Sequence, residues 1–429
     1  MSRCVVVLLC ALFEGATAQP FNADWLAKPV EPSKQCTKED LKDIKAWMID
    51  LDGCMYIPGS LVHGAQKFYH WLRDTKKSYV FLSNTAFKGP IGVQAKFKKR
   101  EYLMEPEVPI DHVWTAGQAL GLFLKENATD GSYIWLIQRT AKYKIGKDTI
   151  YDSCYNQVKL TAGQEKFSKW QVRTFFPREE EFHDWLKKAN DYIKASPDAP
   201  QKFFFALCTE KPEDRHSDDP SFSSIQKIEY RPDGYMGWSN TVLDMMIRFV
   251  KNGATFINTA PDQLEPEKKA PDGVTMHTGS IGPWTAWIKD AIYPKGWKRP
   301  DKGGKLTASM GYGGCHRNMT GADKLKLEQV AMVGDNIASD HTGGNLLGVK
   351  TVLVLSGVHS VEDTKFFCKE NRPTCWLKDV GEIPKILGGQ QKSTYLRPQA
   401  GAAAGVKPPA GAEPEQIVAE GVSEEDPCA

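Results

Sequence analysis

Asp50 and Asp52 stand one residue apart at the end of a short apolar run, Ala46-Trp-Met-Ile-Asp-Leu-Asp-Gly53. A segment that needed only burial would not finish on two carboxylates. In a parallel α/β sheet, ligands bind at the carboxyl ends of the strands. As the chain curls out of such a strand, both carboxylates can approach one ligand, and Gly53 permits the tight turn or close backbone approach that follows. Three further places offer polar groups: Ser83 with Asn84 after the apolar run 79–82, Lys305 after Gly303-Gly304, and Asp335 with Asn336 and Asp340 after the run 329–333. Three or four carboxylates on one sheet edge repel one another unless a cation sits among them. Mg²⁺ needs few protein carboxylates and keeps coordination positions for water and phosphate oxygens, so it suits this inventory. Lys305, with Lys302 as its rival, adds positive charge, and Ser83 adds a donor. The chemistry would be a phosphate cradle around an anionic nucleophile, since a carboxylate reaches a phosphate dianion only with cations alongside. The plainer alternatives are that Asp50 and Asp52 form a solvated turn, and that Ser83, Asn84 and Asp340 cap the helices that follow them.

The elements that would hold these residues alternate in type. Runs at 46–50, 79–82 and 113–114 are short and apolar. Each is followed by a helical stripe, clearest at 64–74 with Ala65, Phe68, Trp71 and Leu72 on one face, then near 92–102 and through Ala119 and Leu124. Strand, helix, strand, helix predicts a parallel sheet with right-handed crossovers. From about 131 the rhythm changes: strands at 133–137, 203–207 and 253–258 are separated by long polar stretches, including the charged, proline-bearing run 210–220. The first pattern resumes at 329–333 and 351–355. The expected fold class is therefore α/β, a Rossmann-like parallel sheet core with an inserted α/β cap domain. The expected divisions are a leader at 1–18, an extension at 19–40, core at 41–130, cap at 131–284, core again at 285–388, and a disordered Ala/Gly/Pro/Glu-rich tail at 389–429.

The composition is that of an ordinary globular protein: 429 residues, 41% hydrophobic and 25% charged, with a formal net charge of +2. No basic stripe suggests a nucleic-acid partner. Met1-Ser-Arg3, the apolar run 4–13 and the small residues Ala16-Thr-Ala18 have the form of a secretory signal peptide. No later stretch is long and apolar enough for stable membrane insertion, so a secreted or secretory-lumen protein is expected. Sequons at Asn127 and Asn318 are compatible with that route. Loss of Cys4 and Cys10 with the leader leaves eight of ten cysteines. Cys54, inside the acidic motif, is expected to remain a buried thiol; the others are free to pair, Cys368 with Cys375 closing a short loop as one option.

Asp50-Leu-Asp-Gly53, Phe81-Leu-Ser-Asn84, Gly304-Lys305 and Val333-Gly-Asp-Asn-Ile-Ala-Ser-Asp340 together resemble the four ordered motifs of the haloacid dehalogenase superfamily. Pro58-Gly-Ser60, Thr115-Ala116, Phe256-Ile-Asn-Thr259 and Val352-Leu-Val-Leu-Ser-Gly357 are similar to its para-nitrophenylphosphatase, phosphoglycolate phosphatase and pyridoxal phosphatase branch. The resemblance implies a phosphoric monoester hydrolase acting on a small phosphorylated substrate. Asp50 would be the nucleophile and Asp52 the acid and base. Ser83, Asn84 and Lys305 would bind phosphate. Asp50, Asp335 and the Asp52 carbonyl would hold Mg²⁺, with Asn336 and Asp340 orienting that site. The resemblance also allows a homodimer through the cap. Two rivals remain: a phosphotransferase sharing the aspartyl intermediate, and a secreted binding protein that keeps the scaffold without turnover.

Overall fold

The computed structural model describes residues 33–138, 140–145, 148–174, 179–195, 202–208, 240–259, 264–265, 278–279, 306–307, 325–367 and 371–388. The leader, the tail, Lys302 and Lys305 lie outside these residues.

Six parallel strands form the first sheet, in the order Cys375–Leu377, Lys350–Val354, Val330–Gly334, Ala46–Asp50, Ser78–Ser83, Val113–Thr115. Such strands are apolar throughout because both faces are covered. Side-chain alternation divides them between two cores. Trp47, Ile49, Phe81, Val333 and Val352 pack on one face with Phe68 and Leu72 of the helix Ala65–Asp74. Ala46, Met48, Val80, Leu82 and Met332 fill the other. Strand order runs outward in both directions from the pair Ala46–Asp50 and Val330–Gly334, so the topological switch point falls between them.

A second, five-stranded sheet has the order Leu306–Thr307, Thr255–Asn258, Phe203–Leu207, Tyr133–Ile137, Gln171–Arg173. The run Phe203-Phe-Phe-Ala-Leu207 shows why it forms. Phe203, Phe205 and Leu207 join a core with Trp185 and Phe249, from the helices Glu179–Ala195 and Asn240–Lys251. Phe204 and Ala206 point to the opposite core, with Phe123 and Val158 from Ala116–Asn127 and Cys154–Ala162.

Two details differ from the expected divisions. The helix Ala116–Asn127 starts directly after the strand Val113–Thr115 and packs on the second sheet, although 41–130 was assigned to the core. With no loop between strand and helix, the chain leaves the first sheet already at Thr115. Leu306–Thr307 also pairs in the second sheet, opposite Phe256 and Ile257, beyond the expected boundary at 284.

The cysteines pair over long range. Cys36 is bonded to Cys375 and Cys154 to Cys208, while Cys54 is a buried free thiol, as its place in the acidic motif suggested. The Cys368–Cys375 option is thereby excluded. The lead-in runs beside the edge strand, with Cys36 N–H donating to Trp376 O (2.9 Å) and Trp376 N–H to Lys34 O (2.9 Å). That pairing sets the Cys36 and Cys375 Cα atoms 4.9 Å apart, within disulfide reach.

Candidate active site

Three loops meet above the switch point. Asp50 ends its strand opposite Leu82, so Ser83 lies one step beyond Asp50 on the neighbouring strand. Ile49 pairs with Val333, which brings Asp335 to the same level on the other side. Asp50, Asp335 and Asp340 are 6%, 2% and 0% exposed, and each offers a carboxylate oxygen within 4.8 Å of the others. Three buried carboxylates at that spacing are mutually destabilising unless neutralised. A hard divalent cation with oxygen ligands is the species that this donor set fits.

Asp335 and Asp340 are each held by a backbone N–H group. Asp335 accepts from Val358 N–H (2.7 Å), and its own carbonyl accepts from His359 N–H (3.2 Å). Gly53 and Gly357 make room for it: a Cβ at either would stand 2.2 or 1.8 Å from Asp335 Oδ2. Ser356 Oγ donates to Gly53 O (2.7 Å), joining the loop after Ala46–Asp50 to the loop after Lys350–Val354. Asp340 belongs to a π-helical turn, Ile337–His341, that bends its carboxylate back to accept from Asn336 N–H (3.0 Å). Asn336 Oδ1 in turn accepts from Ala338 N–H (3.0 Å). Asp340 was expected only to orient the site; that turn brings it into the carboxylate group itself.

Asp52 sits apart from this group, on the more open side. Its side chain is 52% exposed, with Oδ2 accepting from Tyr56 O–H (2.9 Å) and Oδ1 from Lys96 Nζ (3.2 Å). Ser83 is buried, and its Oγ accepts from Thr85 N–H (3.2 Å). Its hydroxyl proton can still be given to an anion. Asn84 follows it, part-buried. Burial, then the charges of Asp50, Asp335 and Asp340, push the Cys54 thiol well above its ordinary range, so it stays protonated. Burial lowers His341 to about 3 and lowers His359 as well, leaving both imidazoles neutral beside the carboxylates. Neither histidine was singled out from the sequence, nor were Val358, Tyr56 and Lys96. The partners of His359, Val358 and Lys96 are distant in the chain, while His341 and Tyr56, whose partners are nearby, gave no signal by residue type.

Parallel strands ending in buried acidic loops at a switch point define a Rossmann-like α/β fold with a candidate cation site. A model described as haloacid dehalogenase-like hydrolase matches residues 47–154, and one described as HAD-hydrolase-like matches 309–383. Over those two stretches the chain is similar to haloacid dehalogenase-like hydrolases. Among curated relatives, an acid sugar phosphatase of Staphylococcus aureus is 23% identical over 342 residues, spanning 80% of this chain and 97% of that protein. Among solved structures, a hypothetical protein from Pyrococcus horikoshii OT3 shares the fold (TM-score 0.50, 20% identity, 80% of this chain and 100% of that one). A 4-nitrophenylphosphatase from Thermotoga maritima aligns with TM-score 0.48 at 19% identity, over 81% of this chain and 99% of that one.

Proposed function

We propose that the protein is a secreted, Mg²⁺-dependent phosphatase that hydrolyses small phosphate monoesters through an aspartyl-phosphate on Asp50. The observation that carries this reading is the convergence of Asp50, Asp335 and Asp340 at the switch point, with Ser83 one step away on the adjacent strand. Kinship with an acid sugar phosphatase supports a small phosphorylated substrate. Mg²⁺ bound by Asp50, Asp335 and the Asp52 carbonyl, beside Asp340, would neutralise the phosphate and lower the repulsion toward the attacking carboxylate.

The residues divide the chemistry as follows. An Asp50 oxygen attacks phosphorus, the ester P–O bond breaks, and Asp52 gives its proton to the departing alkoxide. Water then attacks phosphorus while Asp52 takes its proton. The acyl-phosphate bond breaks, releasing inorganic phosphate and restoring Asp50. Ser83 and Asn84 hold phosphoryl oxygens, and Lys305 has the same role in this reading. The second sheet acts as a cap that covers the open edge and selects the leaving group. The leader at 1–18 and the two disulfides support passage through an oxidising secretory compartment.

Turnover of para-nitrophenyl phosphate, with Mg²⁺, with EDTA, and by Asp50→Asn, tests the reading. Hydrolysis is expected only in the first case; equal rates in all three would refute it.

A further inference from the structure

Asp52 is the one acidic member of the first motif that the buried carboxylate group does not hold, yet its position is not left to solvent. The loop after the first strand folds back on itself: Gly53 N–H donates to Tyr56 O (2.8 Å) and Met55 N–H to Leu51 O (2.9 Å). This brings the Tyr56 phenol to Asp52 Oδ2 at 2.9 Å. Tyr56 itself is 3% exposed, with its ring edge-on to Phe97 (centroids 5.7 Å apart) and against Tyr102 (5.5 Å). The other carboxylate oxygen is met from a different element. The helix Pro90–Phe97, which follows the Ser83 strand, carries Lys96 back over this loop, its Nζ 3.2 Å from Asp52 Oδ1. The same ammonium lies 3.4 Å above the Tyr56 ring and 5.1 Å from that of Tyr102. A lysine in contact with two aromatic faces and a carboxylate is much less free than a surface lysine, and its side chain is 24% exposed. An exposed ion pair alone would be worth little; here the ring contacts fix the geometry.

We propose that Lys96 and Tyr56 are positioning residues, a two-point clamp that holds the Asp52 carboxylate in the orientation its proton transfers require. The assignment rests on the phosphatase reading above and adds a role for the helix after the second motif. Lys96 contacts Asp52, Tyr56 and Tyr102. It acts through Asp52, and its removal therefore matters only while Asp52 is present.

That condition supplies the test. Lys96→Met keeps an apolar, polarisable side chain between the two rings, so the fold should persist with little change in melting temperature. With glycerol phosphate, a poor leaving group that needs an acid, kcat is expected to fall roughly 10- to 100-fold, a part of what a general acid contributes, with KM changed less than about threefold. Lys96→Arg should recover most of the loss. In the Asp52→Asn background, Lys96→Met should not slow further the first-turnover release of nitrophenol from para-nitrophenyl phosphate, as expected of a residue acting through its neighbour. Undiminished kcat in Lys96→Met, or losses that multiply in the double variant, would overturn the assignment while leaving the phosphatase reading intact. A wild-type protein without phosphatase turnover would overturn both.

Discussion

Asp335 depends on two side chains that are absent. A methyl group at Gly357 would lie 1.8 Å from Asp335 Oδ2, and displacing the carboxylate would strain its 2.7 Å bond from Val358 N–H. Displacement of a reacting or ligating group by about 1 Å can cost on the order of 100-fold in rate. Gly357→Ala is therefore expected to lower kcat/KM about 100-fold and weaken Mg²⁺ binding, measured by steady-state kinetics and titration calorimetry. Asp340 gives a prediction of opposite sign for stability. In metal-free protein its charge opposes Asp50 and Asp335, so Asp340→Asn should raise the melting temperature in EDTA while abolishing the rise expected on adding Mg²⁺ to wild type. Differential scanning fluorimetry with and without Mg²⁺ checks both halves. At this scale the sequence was legible where an apolar run gave way to polar residues: Asp50, Ser83 and Asp335 lie where their apolar runs pointed. Asp340's approach was not, because it depends on a π-helical turn that no residue preference announces. Lys96 was hidden because nothing in the sequence separates it from Lys98 and Lys99, which follow the helix Pro90–Phe97.

Elements are tied to one another by contacts from far along the chain. The loop after Ser83 meets the second sheet's layer through Asp152, which accepts from Gly89 N–H and from Ser153 N–H (2.9 Å). Thr115 Oγ1 donates to Gln157 Oε1, and Gln157 Nε2 to Ala86 O (2.9 Å). Burial raises the Asp152 carboxyl above its ordinary value, only partly opposed by the N–H donors. A buried acid with a raised folded-state pKa destabilises the fold as it ionises. The penalty begins as pH rises past the unfolded value near 3.8 and is complete above the folded one. Asp152→Asn should therefore gain stability relative to wild type between pH 4 and pH 7, as measured by urea unfolding at both. Across the sheet edge, the Cys36–Cys375 bond closes a loop with a sequence separation of 339. Cys36→Ser is expected to cost about 2–5 kcal/mol with kcat unchanged, read from urea melts and turnover. Strand and helix identity was legible from apolar runs and stripes. The disulfide partners and the point where the chain leaves the first sheet were not, because they follow from which edge the lead-in covers and how directly Thr115 passes into a helix.

Among the described residues the two larger sheets are both parallel, and the carboxylate group lies at the switch point of the six-stranded one. The inserted second sheet was foreseeable from the change of rhythm after 131 and the return of the first pattern at 329–333, since only a chain that comes back can complete a parallel sheet around Ala46–Asp50. Secretion belongs to this scale too. Protein recovered from the medium of a secretory host should begin at Gln19, as read by N-terminal sequencing, and retention in the cytosol would count against it. The central claim is that Asp50 carries the phosphoryl group between substrate and water. Asp52→Asn, which retains the nucleophile but lacks the base, should be mixed with para-nitrophenyl phosphate, quenched in acid and digested for mass spectrometry. The account predicts a phosphorylated peptide at Asp50 that forms with Mg²⁺ and not with EDTA; release of nitrophenol with Asp50 unmodified at every time point would contradict it.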